Sequence, residues 1–173
     1  MTTFDLPDAE ATTRLGEAIA PLLEPGEAVL LYGPLGMGKS TLARGLIRAL
    51  TRPDEDVPSP TFTLVQFYES EPPIAHFDLY RLTRPEEAFE VGLDDALDEG
   101  CALIEWPERL GDDPGRMLGP DRLTIEISEP APQAAALRED GDRGLSGRVA
   151  TVSGAGSWEA KLKELHVLSL IHI

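Results

Sequence analysis

Apolar residues recur along the chain in two rhythms. Leu15, Ile19, Leu22 and Leu23 fall at i, i+4, i+7 and i+8, one face of a helix that Asp8 is placed to cap and Pro25-Gly26 ends. Ala28-Val29-Leu30-Leu31-Tyr32 is an unbroken apolar run, the pattern of a buried strand. From Thr41 the spacing turns helical again, with apolar residues at 42, 46, 47 and 50. Residues 62–68 and 74–80 are β-rich runs separated by the turn 69–73, which predicts an antiparallel hairpin. Cys101-Ala102-Leu103-Ile104 reads as a short core strand. Alternating Leu123, Ile125 and Ile127 give residues 121–128 a strand with one wet face. Residues 3–6 and 148–153 complete the predicted strands. Short helices are expected at 85–89, 94–98 and from 107 to 110, and a longer one after Ser157 as N-cap, with Trp158, Leu162 and Leu165 on one face. Residues 51–60 form a loop, and 129–147, rich in Pro, Ala, Gly and charge, a flexible surface excursion. No internal repeat is present.

Between the first apolar run and the second helix stands Gly33-Pro34-Leu35-Gly36-Met37-Gly38-Lys39-Ser40, a match to the phosphate-binding pattern G-x-x-x-x-G-K-[ST]. Strand, glycine loop and helix is the context the pattern needs. Glycines let the backbone turn tightly and bring N–H groups against an anion, and the helix aims its partly positive N-terminus at the same point. Lys39 adds a full charge for the β- and γ-phosphates, and Ser40 a hydroxyl for Mg²⁺. The chain has three lysines, and Lys39 is the sole one before Lys161, so a lysine here stands out against arginine elsewhere.

Composition narrows the setting. A length of 173 residues fits one domain with a real core. No apolar stretch is long enough to span a membrane, and the polar, acidic start does not read as a signal peptide. The single Cys101 allows no internal disulfide and reads as a small core hydrophobe, which points to the cytoplasm. A formal charge of −16 repels free nucleic acid, so direct nucleic-acid binding is not expected.

A nucleotide-hydrolysing site also needs a carboxylate for Mg²⁺ and a group to orient water. Glu105 follows the apolar run 102–104, and Asp78 lies in His76-Phe77-Asp78-Leu79-Tyr80-Arg81; both end apolar strands. Either could position the water. Ser59-Pro60-Thr61, after the loop that follows the second helix, offers hydroxyls where nucleotide switches sense the γ-phosphate and metal. Arg81 could pair with Asp78 or reach a phosphate, His76 reads more as a sheet histidine than a base, and Trp106-Pro107 reads equally as core or lid. The chain contains no asparagine, so the N-K-x-D signature of guanine recognition is missing and ATP is favoured.

Together, Leu35-Gly36-Met37-Gly38-Lys39-Ser40, Ser59-Pro60-Thr61-Phe62-Thr63-Leu64-Val65, His76-Phe77-Asp78-Leu79-Tyr80-Arg81-Leu82 and Ile104-Glu105-Trp106-Pro107 make the sequence resemble the TsaE (formerly YjeE) family of bacterial ATPases, over about residues 6 to 165. The resemblance implies an α/β fold: a P-loop NTPase-like three-layer sandwich whose mixed sheet contains an antiparallel hairpin. It also implies an ATPase required for threonylcarbamoyladenosine modification of tRNA, slow alone, acting on the TsaD–TsaB complex with ATP and Mg²⁺ as cofactors. Residue by residue, it places Leu35, Gly36, Met37, Gly38, Lys39, Ser40 and Thr41 on the phosphates and Thr12 near the nucleotide. Ser40 and Glu105 fall on Mg²⁺, Asp78 and Thr61 in the catalytic and switch region, and Trp106 in a mobile element. The chain departs from the family pattern at Pro34, where an acid is usual, at Met37, where a small residue is usual, and at Ser40, where Thr is usual.

Residues 1–167 are read as one ATPase domain. Residues 168–173 spell the translation of the start of a sequencing-library transposon adapter, so they are read as a non-native tail. A small-molecule kinase is the competing function. Its usual lid of several arginines has only the loosely spaced Arg109, Arg116 and Arg122 to draw on. A nucleotide-binding adaptor without hydrolysis is a third reading.

Overall fold

The computed structural model describes residues 1–130 and 147–172, with side chains through Leu168. Among these residues, seven strands form one sheet: β1 (Thr2–Leu6), β2 (Ala28–Tyr32), β3 (Val65–Tyr68), β4 (Ile74–Asp78), β5 (Cys101–Glu105), β6 (Arg122–Ser128) and β7 (Arg148–Ala155). The spatial order is β1-β7-β6-β2-β5-β4-β3. β2 runs parallel to both β5 and β6, and β4 parallel to β5; β3 and, at the other flank, β7 and β1 join antiparallel. The expected mixed sheet with a hairpin is therefore present, and β2, which leads into the glycine loop, is central.

Among the described residues, six α-helices flank the sheet: α1 (Ala9–Ile19), α2 (Lys39–Leu50), α3 (Glu87–Glu90), α4 (Leu93–Glu99), α5 (Gly115–Leu118) and α6 (Trp158–His172). The alternation of β2 shows why the sheet needs cover on both faces. Val29 and Leu31 join a core with Leu15, Ile19, Leu46, Ile47, Trp158 and Leu165, under α1, α2 and α6. Ala28 and Leu30 join a second core with Phe77, Leu79, Ala88, Leu93 and Ile104, under α3 and α4. Asp8 caps α1 as its position predicted, accepting from Ala11 N at 2.8 Å.

α1 lies directly on α2 because both helices carry a glycine at the crossing. A Cβ at Gly45 would stand 2.5 Å from the Thr13 carbonyl oxygen, and one at Gly16 would collide with the Leu42 carbonyl. This crossing seats the start of α2, and with it the phosphate loop, against α1.

Several boundaries differ from the sequence pattern. β3 begins at Val65 rather than at 62, because residues 61–63 form a turn closed by Leu64 N to Pro60 O at 2.8 Å. Leu64 takes a left-handed φ of 69°, and Phe62 is 82 % exposed. β4 stops at Asp78, not at Tyr80: the Leu79 amide turns to the Glu105 carbonyl at 3.1 Å, and Tyr80 N donates to the Asp78 carboxylate. The α5 turn had no counterpart in the pattern. Ser157 stands at the start of α6 but gives its hydroxyl to the Glu27 carboxylate at 2.5 Å, so its side chain serves as a tether. The predicted excursion 129–147 falls almost wholly outside the described residues.

Candidate functional site

Gly33, Gly36 and Gly38 all take positive φ, at 144°, 79° and 103°. This is the left-handed backbone that lets the loop fold over the end of β2. At Gly33 there is a second reason for glycine: a Cβ would lie 2.7 Å from the Ile127 carbonyl on β6. Gly38 is the N-cap of α2, and Leu42 N bonds back to its carbonyl at 3.0 Å. Among the described residues, the backbone N–H groups of 35–41 donate to no other residue. They are the unused donors that a bound anion would satisfy. The loop opens on a cavity of about 390 Å³ lined by Gly36, Gly38, Lys39, Ser40, Thr41 and Leu35 on one side. Ser59, Thr61, Asp78, Glu105, Tyr80, Arg81 and Trp106 line the rest.

The sheet brings the acids there. Asp78 and Glu105 end adjacent parallel strands and are register partners, each buried, at 6 % and 3 % exposure. Asp78 accepts from Tyr80 N at 3.1 Å on one oxygen, and on the other from Ser59 Oγ at 3.3 Å and Thr61 Oγ1 at 3.2 Å. The 61–64 turn that shortened β3 is thus what carries the Thr61 hydroxyl onto Asp78. Glu105 Oε2 lies 2.8 Å from His76 Nε2, and among the described residues Oε1 has no hydrogen-bond partner. Arg81 makes no ion pair with Asp78; its guanidinium stacks at 4.5 Å on the Phe62 ring while still lining the cavity.

Lys39 is nearly buried, its ammonium 2.5 Å from the Gly33 carbonyl oxygen and 3.5 Å from the Trp106 ring centroid. Burial holds its pKa below the usual lysine value, opposed by the charges of Glu105, Glu108 and Asp78. Trp106 itself takes a left-handed φ of 60° and packs against Tyr80 with the rings tilted by 54°, centroids 5.0 Å apart. Both positions left open for Trp106 are occupied at once: its ring is partly buried against the second core and also faces the Lys39 ammonium at the cavity. The signal was available in sequence only as an aromatic next to the strand-end acid.

Thr12 and Met37 lie apart from this cavity. With Asp8, Gly36, Gly38, Thr41 and Arg148 they line a neighbouring one of about 310 Å³, and Gly36, Gly38 and Thr41 border both. Thr12 is buried on α1, and a Cβ at Gly38 would stand 3.5 Å from its methyl group. The loop thus separates two adjoining spaces.

The donor set suits a hard divalent cation. Among the described residues the Ser40 hydroxyl makes no hydrogen bond, and Glu105 and Asp78 offer carboxylate oxygens on the same cavity. Among the described residues, no three His, Cys, Asp or Glu side chains gather into a self-sufficient metal cage. An ion completed by phosphate oxygens and water needs none, which is the habit of Mg²⁺.

Comparison with known proteins identifies the family and the fold. The family model described as "Threonylcarbamoyl adenosine biosynthesis protein TsaE" matches residues 6–136. A TsaE protein of Rickettsia felis is 42 % identical over 104 residues, covering 60 % of this chain and 61 % of that protein. One from a Synechocystis strain is 45 % identical over 114 residues, covering 62 % of this chain and 71 % of its own length. The match thus spans about six-tenths of the Rickettsia felis relative. The crystal structure of Bacillus subtilis YdiB superimposes with a TM-score of 0.69 at 25 % identity, covering 95 % of this chain and 93 % of that one. With a phosphate loop, two register-paired acids and a family match over most of its length, the chain belongs to the TsaE family.

Proposed function

We propose that this protein is a Mg²⁺-dependent ATPase of the cytoplasm. In this reading it acts on a TsaD–TsaB complex in the threonylcarbamoyladenosine modification of tRNA. The observation that carries the reading is the convergence of the glycine loop, Lys39, Ser40, Asp78 and Glu105 on one cavity, in a chain of this family. The amides of 35–41 and the Lys39 ammonium would hold phosphates, and Ser40 and Glu105 would hold Mg²⁺. Bound there, the ion and ATP supply a phosphoryl group whose negative charge is spread and neutralised. Asp78 would orient water. Its bonds to Ser59 and Thr61 couple that task to the 59–64 turn, so the turn can report the nucleotide state to a partner. Thr12 and Met37, across the loop, would flank the rest of the nucleotide.

Lys39 must leave the Gly33 carbonyl and the Trp106 face to meet a phosphate. That requirement fits an enzyme that is slow alone. No helix among the described residues is long and apolar enough to cross a membrane. The test is complementation of a strain depleted of its own TsaE, scored by threonylcarbamoyladenosine in tRNA. Wild type should restore the modification, and Glu105→Ala and Asp78→Ala should not. Equal restoration by all three would refute the reading.

A further inference from the structure

His76 has no role in the reading so far, yet among the described residues it is the only side chain hydrogen-bonded to the acid assigned to the metal. It sits on β4 opposite Leu103 of β5, one diagonal step from Glu105. Both side chains are almost wholly buried, and His76 Nε2 lies 2.8 Å from Glu105 Oε2. The other ring nitrogen, Nδ1, is buried with no hydrogen-bond partner. For the neutral ring, these two facts favour the tautomer with its proton on Nε2. A proton on Nδ1 would leave a buried donor unmet, and would set a bare Nε2 lone pair against a carboxylate oxygen. With the proton on Nε2 the ring donates to Oε2, and Nδ1 is an idle acceptor at smaller cost.

We propose that His76 is the positioning residue of Glu105: it pins Oε2 through Nε2–H and so presents Oε1 to the divalent cation. The inference rests on the assignment of Glu105 to Mg²⁺ made above. The logic is that of outer-shell partners in metal sites generally, which orient a ligand by hydrogen-bonding the atom the metal does not take. A carboxylate at a strand end with one oxygen untethered would rotate, and the ion would bind it less well. A histidine serving only to fill the sheet would have no effect on the ion.

The test compares two amides. Gln carries its amide nitrogen about as far from the backbone as Nε2, whereas Asn reaches only as far as Nδ1. His76→Gln therefore keeps the donor to Glu105, and His76→Asn loses it with similar polarity. ADP affinity of the full chain is measured by calorimetry, in Mg²⁺ and again in EDTA, alongside the thermal midpoint. Wild type and His76→Gln should show the same Mg²⁺-dependent gain. In His76→Asn that gain should fall about 10-fold while affinity in EDTA is unchanged. An undiminished gain in a folded His76→Asn overturns the proposal. If His76→Asn does not fold, His76→Leu takes its place with the same criterion. A wild type with no Mg²⁺-dependent gain at all overturns the metal assignment itself, and this inference with it.

Discussion

Lys39 lies in a near-buried slot, held by one carbonyl and one indole, and its identity was readable from sequence because the spacing of glycines, lysine and serine encodes backbone geometry. Glu105 and Asp78 were readable for a similar reason: an acid ending an apolar strand is poorly solvated unless the fold gives it a cation or donors. The partners were not readable. His76 meets Glu105 across a strand pair whose register no local pattern states, and Trp106 reaches Lys39 only through a left-handed turn. Cys101 was also placed correctly, as a core thiol. Burial pushes its pKa up to about 12, with the charge of Glu27 adding to the effect. The native thiol should therefore not react with a disulfide reagent at pH 8, and one equivalent should react once denaturant is added. The same shift sets a pH trend. The folded chain holds this proton more tightly than the unfolded one, so this contribution to stability is full below the ordinary thiol pKa and is lost as pH rises from there to about 12.

At the scale of elements, the sheet, α1, α2 and the hairpin follow from periodicity and from Pro and Gly punctuation. The 61–64 turn did not, because its β-rich composition reads as strand while tertiary bonds from Thr61 and Ser59 to Asp78 pull it out of the ladder. The clamp on α6 was equally hidden, since it joins residues more than a hundred positions apart. Glu27 at the foot of β2 accepts from Ser157 and from Lys161 Nζ at 2.6 Å, and Glu24 accepts from the same ammonium at 2.9 Å. Glu27 is buried, so removing its cation leaves its charge with only the Ser157 hydroxyl and the Glu24 amide as donors. Lys161→Met should cost roughly 3 kcal/mol in denaturant unfolding. Burial alone would lower the Lys161 pKa, but hydrogen bonds to Glu27 and Glu24 and their charges outweigh it and raise it. The clamp's contribution is thus present below the ordinary lysine pKa. It is lost as pH rises through the raised value, so the gap between wild type and Lys161→Met should close in strong alkali.

For the whole molecule, the sheet order places four parallel strands, β6, β2, β5 and β4, side by side, and the loop, Asp78 and Glu105 all meet at one end of β2, β5 and β4. That meeting point is a property of topology, and the sequence carried it only through the resemblance. The formal charge of −16 acts at the same scale. A surface of that sign should give no tRNA binding by anisotropy at 150 mM salt in the absence of protein partners, and lowering the salt should strengthen the repulsion. In the proposed function, the local amides and Lys39 would admit ATP against that field. The central claim is that this cavity hydrolyses ATP with its metal held by Glu105 and its phosphates by Lys39. The direct measurement is phosphate release from Mg²⁺-ATP by the full chain with TsaD and TsaB present. Wild type should turn over repeatedly, with Lys39→Ala and Glu105→Ala each slower by about 100-fold or more. Release at the wild-type rate by both variants, or none by wild type, would contradict the account.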